Sequence, residues 1–224
     1  MDFIFDPSLV LYLPLYELDG ASFMSKDACG HLCTVTGAVW RPNGRYFDGS
    51  DDKIVVPDCA VLSAMPAITA EVWMKSDGDA GALNGLIGKY GPAGEIEWFT
   101  KLDDDAPEIG MRIYDASVNK RIGRMDTTSN VWDDVWHHIV FVWDGTALSS
   151  GIKIYVDTAQ TDDTDDEAAG FVAIEDKTAN VQVGTRTTDI GYFKGTIGEV
   201  RLYRRALTPL EIQHNYLATK WRYR

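Results

Sequence analysis

The chain has 224 residues and a formal net charge of −13 at pH 7, from 21 Lys and Arg against 34 Asp and Glu. Its 45% hydrophobic and 25% charged residues are those of a globular chain, which excludes a disordered one. The acidic balance argues against nucleic acid and against an anionic membrane surface as partners, and no apolar run approaches the roughly 18 residues that would cross a bilayer.

Leu9, Leu11, Leu13 and Leu15 alternate with Val10, Tyr12, Pro14 and Tyr16, which is the period of a strand. Pro14 assigns that strand to an edge or a bulge. Ile54–Val56 follows the turn residues Asp48-Gly49-Ser50-Asp51, and Ile68–Lys75 alternates again. Further strands are predicted over Leu86–Tyr90, Ile96–Lys101, Ile109–Tyr114, Arg121–Arg124, Trp136–Trp143, Ile152–Val156, Val181–Gly184 and Thr196–Tyr203, with Gly, Asn, Asp and Pro between them. Many short strands at fairly even spacing predict an all-β sandwich or jelly roll. Trp136, Ile139 and the apolar residues after them are expected on its inner face. Thr208-Pro209-Leu210-Glu211 reads as an N-cap, a first-turn proline and a closing capping box, which predicts one helix over Pro209–Thr219. No linker or strong repeat interrupts the chain, so residues 1–224 read as a single domain with a basic, aromatic tail at 220–224.

The stretch Asp157–Glu167 holds six carboxylates, Asp157, Asp162, Asp163, Asp165, Asp166 and Glu167, and Asp103-Asp104-Asp105 is a second acidic cluster. Each reads as a solvated face or as the rim of a divalent-cation site, and neither has the spacing of an EF-hand loop. His137 and His138 are adjacent on a strand and point to opposite faces, so they cannot share a metal. The spacing of Cys29, His31 and Cys33 suggests zinc. No fourth ligand is evident and Cys59 is far along the chain, so reduced, partly buried thiols are expected. Three cysteines suit a reducing compartment and no disulfide scaffold. A sugar would need an exposed aromatic platform. Trp40, Tyr90, Trp98, Tyr114, Trp132 and Tyr192 fall in or beside predicted loops, and Trp98 and Trp132 are the candidate ligand-binding residues.

Three segments together carry a resemblance. The first is Gly195-Thr-Ile-Gly-Glu-Val-Arg-Leu-Tyr-Arg-Arg-Ala-Leu-Thr-Pro-Leu-Glu-Ile212. The second is Tyr46-Phe-Asp-Gly-Ser-Asp-Asp-Lys-Ile-Val-Val-Pro57. The third is Trp136-His-His-Ile-Val-Phe-Val-Trp-Asp-Gly145, followed by Lys153-Ile-Tyr-Val-Asp157. In this order they resemble the laminin-G-like group of the concanavalin A-like lectin/glucanase superfamily. The resemblance implies a two-sheet antiparallel jelly-roll sandwich of about a dozen strands, with sheets roughly 10 Å apart and a short C-terminal helix. The superfamily includes glucanases, whose retaining members need two carboxyls about 5–5.5 Å apart. The nearest match, Glu95-Ile96-Glu97-Trp98-Phe99-Thr100, lacks the central Asp and final Glu of the enzyme pattern, so no catalytic residue is assigned and a non-enzymatic module is expected.

Many laminin-G-like domains hold calcium where the loop after the first strand meets the last strand. The ligands implied here are Glu17 or Asp19, with Asp27 and Glu199. The family's closing strand usually reads Ile-Asp-Glu-Val, whereas this chain has Ile197-Gly198-Glu199-Val200. Glu199 would otherwise pair with an arginine such as Arg201 or Arg204. The resemblance implies a recognition or structural module. With no basic leader in Met1–Pro7, the chain looks like the free-standing domains of phage virions: a capsid decoration protein, head fibre or tail-associated adhesin on the particle exterior. Its expected partners are a virion shell or tail protein, a second copy, or a cell-surface glycan. Trp221, Arg222 and Tyr223 are expected to dock it, or to fold back on the sandwich. The alternative is a cellular or secreted carbohydrate-binding module.

Overall fold

The computed structural model describes residues 6–78, 84–92, 94–103, 108–186 and 190–224. Asp104 and Asp105 of the second acidic cluster lie outside the described residues. The first strands are β1 (Leu9–Pro14), β2 (Ser22–Met24), β3 (Leu32–Thr36), β4 (Val39–Arg41), β5 (Gly44–Asp48) and β6 (Lys53–Val56). Then come β7 (Ile68–Ser76), β8 (Ile87–Tyr90), β9 (Ile96–Asp103), β10 (Glu108–Asp115), β11 (Lys120–Asp126) and β12 (Trp136–Trp143). The last are β13 (Ile152–Val156), β14 (Ala159–Gln160), β15 (Thr164–Asp165), β16 (Val181–Val183) and β17 (Lys194–Tyr203), followed by α1 (Pro209–Thr219).

The strands form two sheets. The first has the order β14-β13-β12-β7-β17-β5-β4, with β1 also paired to β17, and the second has the order β15-β11-β10-β9-β8-β16-β6-β3-β2. All these pairs are antiparallel. Among the described residues β1 pairs with β17 alone, and it carries a register shift between Leu9 and Leu11, so the strand containing Pro14 has both an edge and a bulge.

The main core lies between the sheets. Leu11, Leu13, Phe47, Val72, Phe141 and Val200 from the first sheet meet Trp98, Met111, Ile122 and Val181 from the second. Each such side chain, fully buried, contributes about 1.5–3 kcal/mol. The outer face of the first sheet is also covered, because α1 lies on it. Tyr12, Val140, Val142, Tyr155 and Tyr203 form a second core there with Leu207 and Ile212. Burial on both faces explains why β1 and residues 139–143 of β12 read as continuous apolar runs. The helix has the predicted bounds. Thr208 Oγ1 accepts the Glu211 N–H at 3.3 Å, the Glu211 carboxylate accepts the Thr208 N–H at 2.8 Å, and Arg205 ties Glu211 to Asp6.

Three expectations are corrected. The described residues form 17 strands, not about a dozen. The additional ones include β2, β4, β14 and β15, which are two or three residues long and mostly exposed, so they carry no apolar alternation to read. Trp136 faces outward, because Ile139, Phe141 and Trp143 occupy the inner positions of β12 and Trp136 packs on Tyr223. The acidic stretch is exposed at Asp163, Asp165 and Glu167 but is not a free loop. Asp162 and Asp165 pair with Arg124, and Asp166 pairs with Arg112 and Arg121.

Candidate functional site

After α1 the chain continues in turns. The Arg222 N–H donates to Thr219 O at 3.0 Å and the Tyr223 N–H donates to Lys220 O at 3.2 Å. These turns send successive side chains in opposite directions. Tyr223 is 5% exposed. It stacks on Trp73 at 4.6 Å, meets Trp136 at 4.8 Å, and lies over Gly198. Trp221 points outward and is 61% exposed. Its Nε1 donates to Ala218 O at 3.0 Å, which fixes the indole. The guanidinium of Arg222 sits 3.7 Å from the centre of the Tyr16 ring and 4.6 Å from that of Trp221, within the range of a cation–π contact.

These residues wall a groove of about 460 Å³, lined by Tyr12, Tyr16, Glu17, Lys26, Ala218, Thr219, Trp221 and Arg222. It offers aromatic rings, two cations and a carboxylate on one surface. Beneath it, α1 covers a buried ionic cluster. Arg201 pairs with Glu71 at 3.0 Å and with Glu199, and Asn215 donates to both Glu71 oxygens at 3.0 and 3.1 Å. Burial pushes the Glu71 carboxyl above the ordinary carboxylate range, against the pull of Arg201 and Asn215. His138 packs against Trp73 at 5.0 Å. Burial first, and then Arg201, push its imidazole down to about 3, so it stays neutral at pH 7.

The structure does not assemble the expected calcium set. Glu199 is buried and committed to Arg201. Asp27 lies instead with Cys29 and His31, and Asp19 turns back to the Gly20 N–H at 2.7 Å. Trp98 is completely buried, since the even positions of β9 face the other sheet, and it offers no platform. Trp132 is half-buried and packed against the same core. Tyr223 is removed from any docking surface, whereas Trp221 and Arg222 stay on it. Glu95 and Glu97 are loop clamps. Glu97 is buried and accepts from Lys89 Nζ at 2.6 Å, Ala64 N at 2.8 Å and Lys177 N at 3.0 Å. Glu95 accepts the N–H and hydroxyl of Thr178 at 2.8 and 3.0 Å. Nothing local to Tyr16 or Trp221 in the sequence signals that the two meet at this groove.

A laminin-G family model, described as the concanavalin A-like lectin/glucanases superfamily, matches residues 48–213. The chain belongs to this superfamily. None of the curated proteins matches the sequence significantly. Among solved structures of the superfamily fold, the chain is similar to the ligand binding domain of botulinum neurotoxin serotype D in complex with N-acetylneuraminic acid. That likeness has 13% identity and a TM-score of 0.68, and covers 95% of this chain and 51% of that one. It is also similar to domain 4 of AbnA, an extracellular arabinanase of Geobacillus stearothermophilus in complex with arabinotriose. Here the identity is 18% and the TM-score 0.64, covering 92% of this chain and 97% of that one. A third is the sialidase of Trypanosoma rangeli in complex with sialic acid, at 19% identity and a TM-score of 0.69, covering 98% of this chain and 34% of that one. The chain spans about half the length of the toxin binding domains it matches. Identities this low show the fold, and the lectin-like sandwich is the fold they share.

Proposed function

We propose that this superfamily member is a non-catalytic recognition module that binds a glycan in the groove between Tyr16 and Trp221. The observation that carries the reading is Trp221, a large indole left 61% exposed beside polar groups of both charges. A pyranose presents a C–H face that stacks on such a ring, and its hydroxyls match Glu17, Lys26 and Arg222. Arg222 also suits a sugar carboxylate, which a guanidinium can grip through two N–H donors. The botulinum and arabinanase structures, each in complex with a sugar, support the reading by analogy of fold. The commitment of Glu95 and Glu97 to loop contacts supports a binding role over hydrolysis.

A glycan screen of the full chain, followed by titration calorimetry, tests this. Trp221→Ala is expected to weaken the best glycan by more than tenfold with an unchanged Tm. Wild-type protein that binds no glycan, or a Trp221→Ala variant that binds equally well, would overturn it. A finer reading places the module on the exterior of a virus particle. It is supported by the net charge of −13, which disfavours contact with packaged DNA. Mass spectrometry of purified particles tests it, expecting a fixed ratio to the shell protein; absence from particles removes it.

A further inference from the structure

We propose that Asp27, Cys29, His31 and Cys59 form a binding site for one zinc-class transition-metal ion. The site does not depend on whether the groove takes a glycan. The loop between β2 and β3 supplies three of the donors. One ligand atom from each of Asp27, Cys29 and His31 lies within 4.8 Å of the other two. Asp27 shapes this loop, since its Oδ1 accepts the N–H groups of Cys29 at 2.9 Å and Gly30 at 3.1 Å. Its Oδ2 accepts a single N–H, from Tyr12 at 3.0 Å, and so keeps a lone pair to offer.

The orientation of His31 singles out its metal-facing atom. Nε2 lies 2.8 Å from the carbonyl oxygen of Val10. A carbonyl only accepts, so Nε2 carries the proton and Nδ1 presents the lone pair. A metal-bound histidine is usually fixed in this way, with its other ring nitrogen donating to a carbonyl or carboxylate. The atom facing Nδ1 is the sulfur of Cys59, at 3.7 Å, from a segment 28 residues further along the chain. Cys59 is therefore the fourth donor that the local spacing of Cys29, His31 and Cys33 did not provide. Cys33 belongs elsewhere: its side chain is buried in the core.

The donor set is two sulfurs, one imidazole nitrogen and one carboxylate oxygen. Thiolate and imidazole select zinc-like ions, whereas calcium and magnesium take oxygen. Bond lengths of about 2.0–2.3 Å in a tetrahedral site place ligand atoms roughly 3.3–3.8 Å apart; Cys59 stands outside the 4.8 Å cluster of the other three donors and Asp27 Oδ1 lies 3.7 Å from Nε2, so binding requires the loop and the Cys59 segment to close on the ion. Cys29 is exposed and gives the ion a path in. Binding converts two S–H groups into two metal–thiolate bonds and releases two protons to solvent. It also ties the loop carrying Lys26, a wall of the groove, to the segment after β6.

The test titrates the full, reduced chain with Zn2+ and with Co2+. One Zn2+ per chain is expected by elemental analysis, with release of about two protons per ion in weak buffer. Co2+ should give a sulfur-to-metal charge-transfer band and the strong visible absorption of a tetrahedral site. Cys29→Ser and Cys59→Ala should each weaken Zn2+ binding more than tenfold, while Cys33→Ala keeps one ion per chain. Circular dichroism of each variant separates ligand loss from unfolding. Wild-type protein that retains no Zn2+, a folded Cys59→Ala variant that binds as tightly as wild type, or a Co2+ complex without the thiolate band would each overturn the proposal.

Discussion

A Cβ at Gly198 would stand 2.3 Å from Cε1 of Tyr223, so the lack of a side chain there is what lets the tail lie against β17. The sequence shows the glycine as a departure from the family's Asp. It does not show that Tyr223, 25 residues later, fills the space. Tyr223→Ala empties a slot between Trp73 and Trp136 and is expected to cost about 2–4 kcal/mol. Calorimetry should show the Tm falling by roughly 5–15 °C, with a similar loss for Gly198→Asp. His138 gives a pH signature under the same helix. Its imidazole titrates at an ordinary 6.5 when unfolded and at about 3 when folded. The folded value is depressed, so the neutral ring contributes its full stability above pH 6.5. That contribution is lost as the pH falls toward 3. Urea unfolding at pH 4–6 should show His138→Phe less acid-sensitive than wild type by about 1.4 kcal/mol per pH unit; equal slopes would refute this. That His137 and His138 face opposite ways followed from strand alternation, and that one of them is buried is what the structure adds. Which of the two is buried could not follow, because that depends on where α1 lands.

At the level of elements, the strands that cross the core were legible, because each buries one or both faces in a sequence-visible pattern. Trp136–Trp143 and Ile152–Val156 have the expected bounds, and so does α1, where the capping chemistry is entirely local. Thr208→Ala removes the acceptor for the Glu211 N–H and is expected to destabilise the chain by about 1 kcal/mol in chemical denaturation. The edge strands β2 and β4 were not legible, since β4 is exposed throughout and β2 buries only its central Phe23. The acidic stretch was misread for a related reason. Asp162, Asp165 and Asp166 are balanced by Arg112, Arg121 and Arg124 on β10 and β11, which lie some 40 to 55 positions earlier in the chain. The candidate groove was hidden in the same way, because Tyr16 and Trp221 come from opposite ends of the sequence.

For the whole molecule, the net charge of −13 and pI of about 4.6 set the colloidal behaviour. Light scattering across a pH series should show self-association rising toward pH 4.6 and falling on either side. The first sheet has a further property that follows from its strand order. β17 lies beside β7 along its length, with β5 against one half of its other edge and β1 against the other half. It is the last strand of the chain and a central one of its sheet. Until residue 203 has left the ribosome, β1 lacks the strand it pairs with, and β5 and β7 each expose an edge that β17 will fill. The sandwich therefore closes late, through contacts between distant parts of the chain, which makes for slow folding. Its nascent form is correspondingly the state most open to capture by a chaperone or to wrong strand pairing.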